Sequence, residues 1–261
     1  MDNRKVIYYK DELNDEFSTA QITPRVIDEN YKYERGKLWD ICSYIVQNIL
    51  SMPIKIAYSK LKFKIKYVGK EKFKPYKNTG YFIYVNHTQP FGDTHFPSLA
   101  IYPKRNFFIV NPENISMKPW GGLIEMLGAI PVPGNRKAMK GFMDIVKKRI
   151  QNNNSITIYP EAHIWPYYTK IRPFKAVSFT YPIQMDKPVF CMTNTYQRTG
   201  NKEKAKIVTY IDGPFFANKE LSAKEQKQDL RNRVYETMCE RSKNSNIEII
   251  KYLKGTIGDT S

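Results

Sequence analysis

Two hydrophobic periodicities divide this chain. An uninterrupted apolar run at Tyr81–Val85 and an alternation of apolar residues with lysine over 63–68 have the signatures of strands, the second with one basic face. Shorter runs at Asn106–Val110, Ala129–Pro131, 155–159, 189–196 and 206–211 predict further strands. Helical spacing predicts helices over 93–101, 119–127, 137–152, 175–181 and 223–243. Strands alternating with helices imply an α/β fold, a mixed, largely parallel sheet covered by helices on both sides, with functional groups at strand ends. The most apolar stretch, 38–58, predicts an amphipathic helix over 37–60. Its uncharged run, 41–54, falls short of the roughly 20 residues a bilayer span needs. Trp39 and Tyr44 at one end and Lys55, Tyr58, Lys60, Lys62 and Lys64 at the other suit a helix lying in a membrane interface. A helix capping the core is the competing assignment. The expected organisation is a polar, loosely docked N-terminal extension (1–36), this helix (37–60), a main domain (61–250) with 70–78 as a basic loop, and a frayed C-terminus (251–261).

Charge narrows the partners. Lysine and arginine number 42 against 25 acidic residues, giving a net charge of +17 and a pI near 9.6. Such an excess attracts phosphates, anionic membrane surfaces and acidic proteins. No zinc finger, basic helical region or ribonucleoprotein motif accompanies it, so no nucleic-acid partner is expected. Cys42, Cys191 and Cys239 are odd in number and widely spaced, which argues against a disulfide framework and for a reducing compartment. The first residues carry no signal-peptide apolar core, and secretion is not expected.

Candidate chemistry follows the run at 81–85. The segment Asn86-His87-Thr88-Gln89-Pro90-Phe91-Gly92-Asp93 brings an imidazole and a carboxylate to the end of a strand. A general base with its orienting acid needs those two types, and a positioned imidazole contributes roughly two to four orders of magnitude in rate. Six positions on a regular helix turn through about 600°, so the two side chains meet only across an irregular turn. Pro90 and Gly92 supply it. A structural histidine bonding a buried backbone group is the competing assignment.

Together with three later segments, these residues resemble the glycerophospholipid acyltransferase family, the PlsC-like lysophosphatidic acid acyltransferases. Its first block is Asn-His followed by Asp, usually after four intervening residues; here there are five, 88–92. Gly128-Ala129-Ile130-Pro131-Val132-Pro133-Gly134-Asn135-Arg136 resembles the second block, Ile158-Tyr159-Pro160-Glu161 the third and Lys187-Pro188-Val189 the fourth. The resemblance spans about 80–196 and implies an acyltransferase domain. There His87 and Asp93 act as general base and orienting acid, without an acyl-enzyme, and backbone donors near Thr88 or in the site turn hold the oxyanion. It implies no cofactor. The co-substrate is an acyl carrier protein or coenzyme A thioester, and the acceptor is a lysophospholipid or related lipid. With the cysteine pattern and the amphipathic helix, the expected setting is the cytoplasmic face of a membrane, peripheral or monotopic.

The third block departs most from the pattern. The family reads Pro-Glu-Gly-Thr-Arg, and this chain reads Pro160-Glu161-Ala162-His163-Ile164. The arginine implicated in acceptor-phosphate binding is absent, which leaves Arg136, Lys137 and Arg172 as the expected phosphate contacts, with Lys170 and Lys175 as further candidates. Glu161 and His163 are expected to line the acceptor pocket. Trp165, Tyr167 and Tyr168 suit either a polyol acceptor or plain packing. His87, His95 and His163 are the chain's three histidines, but no tight ligand pair accompanies them, and no metal is expected. No nucleophile elbow, Walker loop or dinucleotide fingerprint is present. The alternatives to an acyltransferase are a non-catalytic membrane- or lipid-binding protein with the same fold and a metal-dependent hydrolase.

Overall fold

The apolar run Tyr81–Val85 forms a strand with no exposed position, the middle strand of a seven-stranded sheet. Alternate residues feed opposite sides. Phe82 and Tyr84 join one buried cluster, while Tyr81, Ile83 and Val85 join another.

The computed structural model describes residues 4–17, 22–200 and 202–255. In chain order these form β1 (Lys5–Tyr9), α1 (Lys37–Tyr44), a π-helical stretch (Ile45–Leu50), α2 (Ser51–Phe63), β2 (Lys66–Val68), a 3-10 helix (Lys70–Tyr76), β3 (Tyr81–Val85), α3 (Phe96–Ile101) and β4 (Asn106–Val110). Then come α4 (Pro112–Ser116), α5 (Gly121–Met126), β5 (Ala129–Pro131), α6 (Met139–Gln151), β6 (Ser155–Ile158), α7 (Thr180–Gln184), β7 (Val189–Thr199), β8 (Lys202–Phe215), α8 (Ala223–Ser242) and β9 (Ile250–Lys254). The sheet order is β2-β8-β7-β3-β6-β4-β5, and only the β7–β8 pair is antiparallel. α6 and α8 cover one face, and α3 with the 3-10 helix covers the other. This is the expected α/β architecture.

Element boundaries moved where side chains were needed elsewhere. Phe63 ends α2 rather than opening a strand, because it packs edge-on against Phe96; Lys64, in the left-handed region at φ 45°, stops the helix. The expected basic loop is instead the 3-10 helix, anchored by buried Phe73. Helix α3 starts three residues later than expected, since Asp93 is held in the turn before it.

The two termini depart from expectation most. β1 pairs in parallel with β9, so the described part of the C-terminus is a strand rather than frayed chain. Residues 256–261, also expected to fray, lie outside the described residues. The described part of the N-terminal extension is docked, not loose; residues 1–3 and 18–21 lie outside the described residues. Ile27 is buried and its carbonyl accepts a hydrogen bond from Gly134, while the Tyr33 hydroxyl donates to the Pro131 carbonyl at 2.9 Å.

The helical run from α1 through α2 is amphipathic with its polarity inverted. Its inward residues include Ser43, Gln47, Asn48, Lys55 and Ser59, whereas Leu38 (75% exposed), Ile41, Ile49, Leu50, Ile54 (68%) and Leu61 (81%) face outward. Hydrogen bonds stitch the polar face to the domain. Ser43 donates to the Met126 carbonyl at 2.7 Å and Asn48 to that of Pro103 at 3.0 Å, and Gln47 donates to the carbonyls of Asn106 and Leu127 while accepting from Arg105 Nε. Buried polar groups need such partners. Among the described residues no helix is long and apolar enough to cross a membrane.

Lys55 sits on that inward face. Burial pulls its ammonium from an ordinary 10.5 down to about 8, and burial together with the Lys55 charge holds His95 near 4. Below about pH 8 the fold therefore carries the full cost of a buried cation, a cost that lifts as pH rises toward 10.5. Lys55→Met should stabilise the protein at pH 7 by up to roughly 3 kcal/mol, and the gain should shrink at pH 10. Urea unfolding at the two pH values checks this. A mutant that is less stable at pH 7 would mean that the charged form is favoured in the fold.

Candidate active site

Strand register assembles the site. β3 and β6 run in parallel with Tyr84 opposite Ile158, so three residues further along His87 faces Glu161. β7 flanks β3 on its other side with Val85 opposite Met192, which carries Asn194 alongside His87. The backbone N–H of His87 donates to Glu161 Oε2 at 2.9 Å. Asn86 and Asn194 clasp each other reciprocally, Asn86 Nδ2 donating to the Asn194 carbonyl at 3.1 Å and the Asn194 N–H to Asn86 Oδ1 at 2.8 Å.

The turn between His87 and Asp93 absorbs the extra residue. Its N–H groups at Thr88 and Gln89 both donate to Asp93 Oδ2 at 2.9 Å, and the Asp93 N–H returns to the Gln89 carbonyl. Gly92 is required here because a Cβ would meet the ring of buried Phe96 at 2.4 Å. His87 Nδ1 then lies 2.7 Å from Asp93 Oδ2. A carboxylate only accepts, so Nδ1 carries the proton and Nε2 is left as the basic nitrogen. Burial raises the Asp93 carboxyl, and the His87 bond with the two backbone donors works against that rise. Tyr159 stacks on the His87 ring with centroids 4.5 Å apart and donates its hydroxyl to the Asp93 carbonyl. The N–H groups of Thr88 and Gln89 are committed to Asp93, so of the donors expected for the oxyanion these two are excluded and the others in the turn are left.

The third block folds back against this turn. Trp165 N–H donates to the His87 carbonyl at 3.1 Å and Tyr167 N–H to that of Thr88 at 2.9 Å. Glu161 also accepts from the Arg172 N–H at 2.8 Å. Burial raises the Glu161 carboxyl against the pull of the Arg172 charge and the two N–H donors. Arg172 itself is wholly buried. Its guanidinium donates to the carbonyls of Glu12, Glu161 and His163 and lies over the Trp165 ring. The expected phosphate contact is therefore corrected to a structural cation. Trp165 has no exposed surface either. It stacks on Tyr252 and donates Nε1 to the Asp15 carbonyl, so it is packing and not an acceptor platform.

A cavity of about 460 Å³ opens beside the dyad, lined by His87, Asp93, Tyr159, Glu161, His163 and Lys175 among others. Leu13 and Asn14 of the N-terminal segment contribute to its wall. His163 Nδ1 lies 3.4 Å from a Glu16 oxygen. Arg136 and Lys137 are exposed in the turn after β5 and are not on this lining. His95 packs edge-on against Tyr58. Among the described residues no group of three or more His, Cys, Asp or Glu is placed to hold a metal. Sequence reasoning missed Asn194, whose Nδ2 lies 3.4 Å from Asp93 Oδ1, and Tyr159, quoted in the third block but given no role. Neither has a signal of its own, since both act only through strand adjacency.

The sequence model of the acyltransferase family matches residues 64–195. Among solved structures, the chain is similar to the 1-acyl-sn-glycerophosphate (LPA) acyltransferase PlsC from Thermotoga maritima. The TM-score is 0.49 and the identity 14%, over 79% of this chain and 95% of that one. No curated protein matches the sequence.

Two mutations probe this loop. Ala162 stands at φ 63°, a left-handed conformation that costs an alanine about 1–2 kcal/mol. Ala162→Gly should thus stabilise the fold by roughly 0.5–1 kcal/mol after the added chain entropy is subtracted, read by thermal unfolding. Arg172→Met should cost about 3–5 kcal/mol by stranding the Glu161 charge, read by urea unfolding. A mutant of normal stability with a raised acceptor KM would return Arg172 to substrate binding.

Proposed function

Because this chain belongs to the acyltransferase family, we propose that it moves a fatty acyl group from an acyl thioester to the hydroxyl of a lysophospholipid or related lipid. The observation that carries this reading is the 2.7 Å contact between His87 Nδ1 and Asp93 Oδ2 at the wall of the 460 Å³ cavity. His87 Nε2 takes the acceptor's hydroxyl proton as its oxygen attacks the thioester carbonyl. The tetrahedral adduct collapses, the carbon–sulfur bond breaks, and the thiolate leaves with the proton from imidazolium. Product ester and free thiol account for every atom, and no acyl-enzyme intervenes. Asp93 keeps the productive tautomer and stabilises the transient imidazolium.

The donor is an acyl carrier protein or coenzyme A thioester, in keeping with the chain's positive charge. Lys175, on the cavity lining, takes the acceptor phosphate in place of the arginine missing at Ile164. The outward aliphatic residues of α1 and α2 support a peripheral or monotopic position on a membrane, and the three free cysteines support its cytoplasmic face.

Purified protein incubated with a labelled long-chain acyl thioester and a panel of lysophospholipids and glycolipids tests the reading by mass spectrometry. His87→Ala should cut product at least about a hundredfold without unfolding the protein. Undiminished turnover in folded His87→Ala would discard the dyad. Lys175→Ala should raise the KM for a phosphorylated acceptor several-fold at nearly constant kcat. An unchanged KM would remove Lys175 from the acceptor site.

A further inference from the structure

A second cavity, about 1110 Å³, lies at the opposite end of the sheet from His87. It opens where the parallel strands begin, beside Tyr81 of β3, Arg105 just ahead of β4, and Asn153 and Asn154 just ahead of β6. Its charged lining is one-sided. Lys70, Lys74, Lys77, Lys104 and Arg105 face it with Glu71 as the single acid. The 3-10 helix and the residue after it present the first three, and Lys74 and Lys77 are exposed. The other two are held in place. Lys104 Nζ donates to the carbonyls of Thr79 and Asn153, and Arg105 is fixed by Gln47 and Ser43 of the inverted helix. Burial brings Lys104 down to about 8, so an anion in the cavity would relieve an under-solvated ammonium.

The rim shows what this charge meets. Tyr44 and Tyr102, both about half exposed, line the cavity, and Tyr44 is flanked on α1 by the outward-facing Ile41 and continues into exposed Ile45. Basic pocket, aromatic rim and aliphatic face thus form one continuous surface, the order in which a bilayer presents headgroup, interface and hydrocarbon. An acyl carrier protein is a poorer match for this end of the molecule, because its thioester must reach His87 at the other.

We propose that this cleft is a second, non-catalytic lipid site that holds the phosphate headgroup of an anionic bilayer lipid while the aliphatic face of α1 and α2 enters the acyl region. The proposal rests on the membrane-bound part of the function above and not on its chemistry.

Flotation with phosphatidylcholine vesicles, with and without phosphatidylglycerol, tests it on the full chain. Lys74→Glu/Lys77→Glu should weaken binding to the anionic vesicles by about tenfold or more and leave binding to neutral ones unchanged. Lys140→Glu/Lys147→Glu, the same charge change at exposed positions on α6 outside the cleft lining, should alter it by less than about threefold. Equal losses from both pairs would overturn the site in favour of diffuse charge. So would a Lys74/Lys77 dependence confined to dissolved inorganic phosphate, or one confined to an acyl carrier protein. Unfolding curves of the variants verify the fold. The vesicle readout needs no turnover: lysine-dependent binding by a protein inactive on every acceptor would refute only the catalytic proposal. An active enzyme whose vesicle binding ignores these lysines would refute only the cleft.

Discussion

A carboxylate sealed from water must spend its lone pairs on donors from the chain, and Glu161 spends them on backbone N–H groups of two different loops, at His87 and Arg172. The Arg172 guanidinium, 3.8 Å away, balances the charge and then reaches the carbonyls of His163 and of Glu12 in the N-terminal segment. Three stretches far apart in sequence are thereby tied to one buried ion pair: the turn between His87 and Asp93, the third block and the N-terminal wall of the cavity. Removing either partner would leave the other charge stranded, a larger loss than the pair itself contributes. His87 can be held against Asp93 because its backbone is fixed from behind by Glu161.

The same molecule treats polarity in the opposite way on its outer helix. Ser43, Gln47 and Asn48 turn inward to bond backbone carbonyls at the base of the sheet, and that leaves the aliphatic side chains in the open. A water-facing helix gains nothing from this arrangement, whereas a helix lying in an interface keeps both faces satisfied. The basic cleft at its foot and the dyad near its far end give the proposed membrane face two separate tasks, retention and chemistry. The link to the dyad end is direct, since Tyr58 of α2 packs on His95, two residues past Asp93.

Much of this was legible in the sequence. The run at Tyr81–Val85 was readable as a central strand because a strand covered on both faces has no polar position. The dyad was readable because Asn86-His87 and Asp93 flank a turn containing Pro90 and Gly92, although a stretched spacing could be judged only once Thr88 and Gln89 were seen closing on Asp93. Arg172 was misjudged because a cation near a motif looks the same in sequence whether it meets substrate or three carbonyls. Trp165 was open for the same reason: an indole serves a ligand face or a core equally well until its neighbours are known.

Local pattern alone determined the α/β class, the strands from β3 to β8 and the family, since each depends on side-chain periodicity or on short motifs. Tertiary structure decided what depends on register and burial. It set Glu161 opposite His87, brought Asn194 to Asp93, paired β1 with β9 and turned the polar side of α1 and α2 inward. Each of these joins residues whose proximity arises from sheet order, and a linear sequence carries no local energetic signal for a neighbour that only the folded sheet supplies.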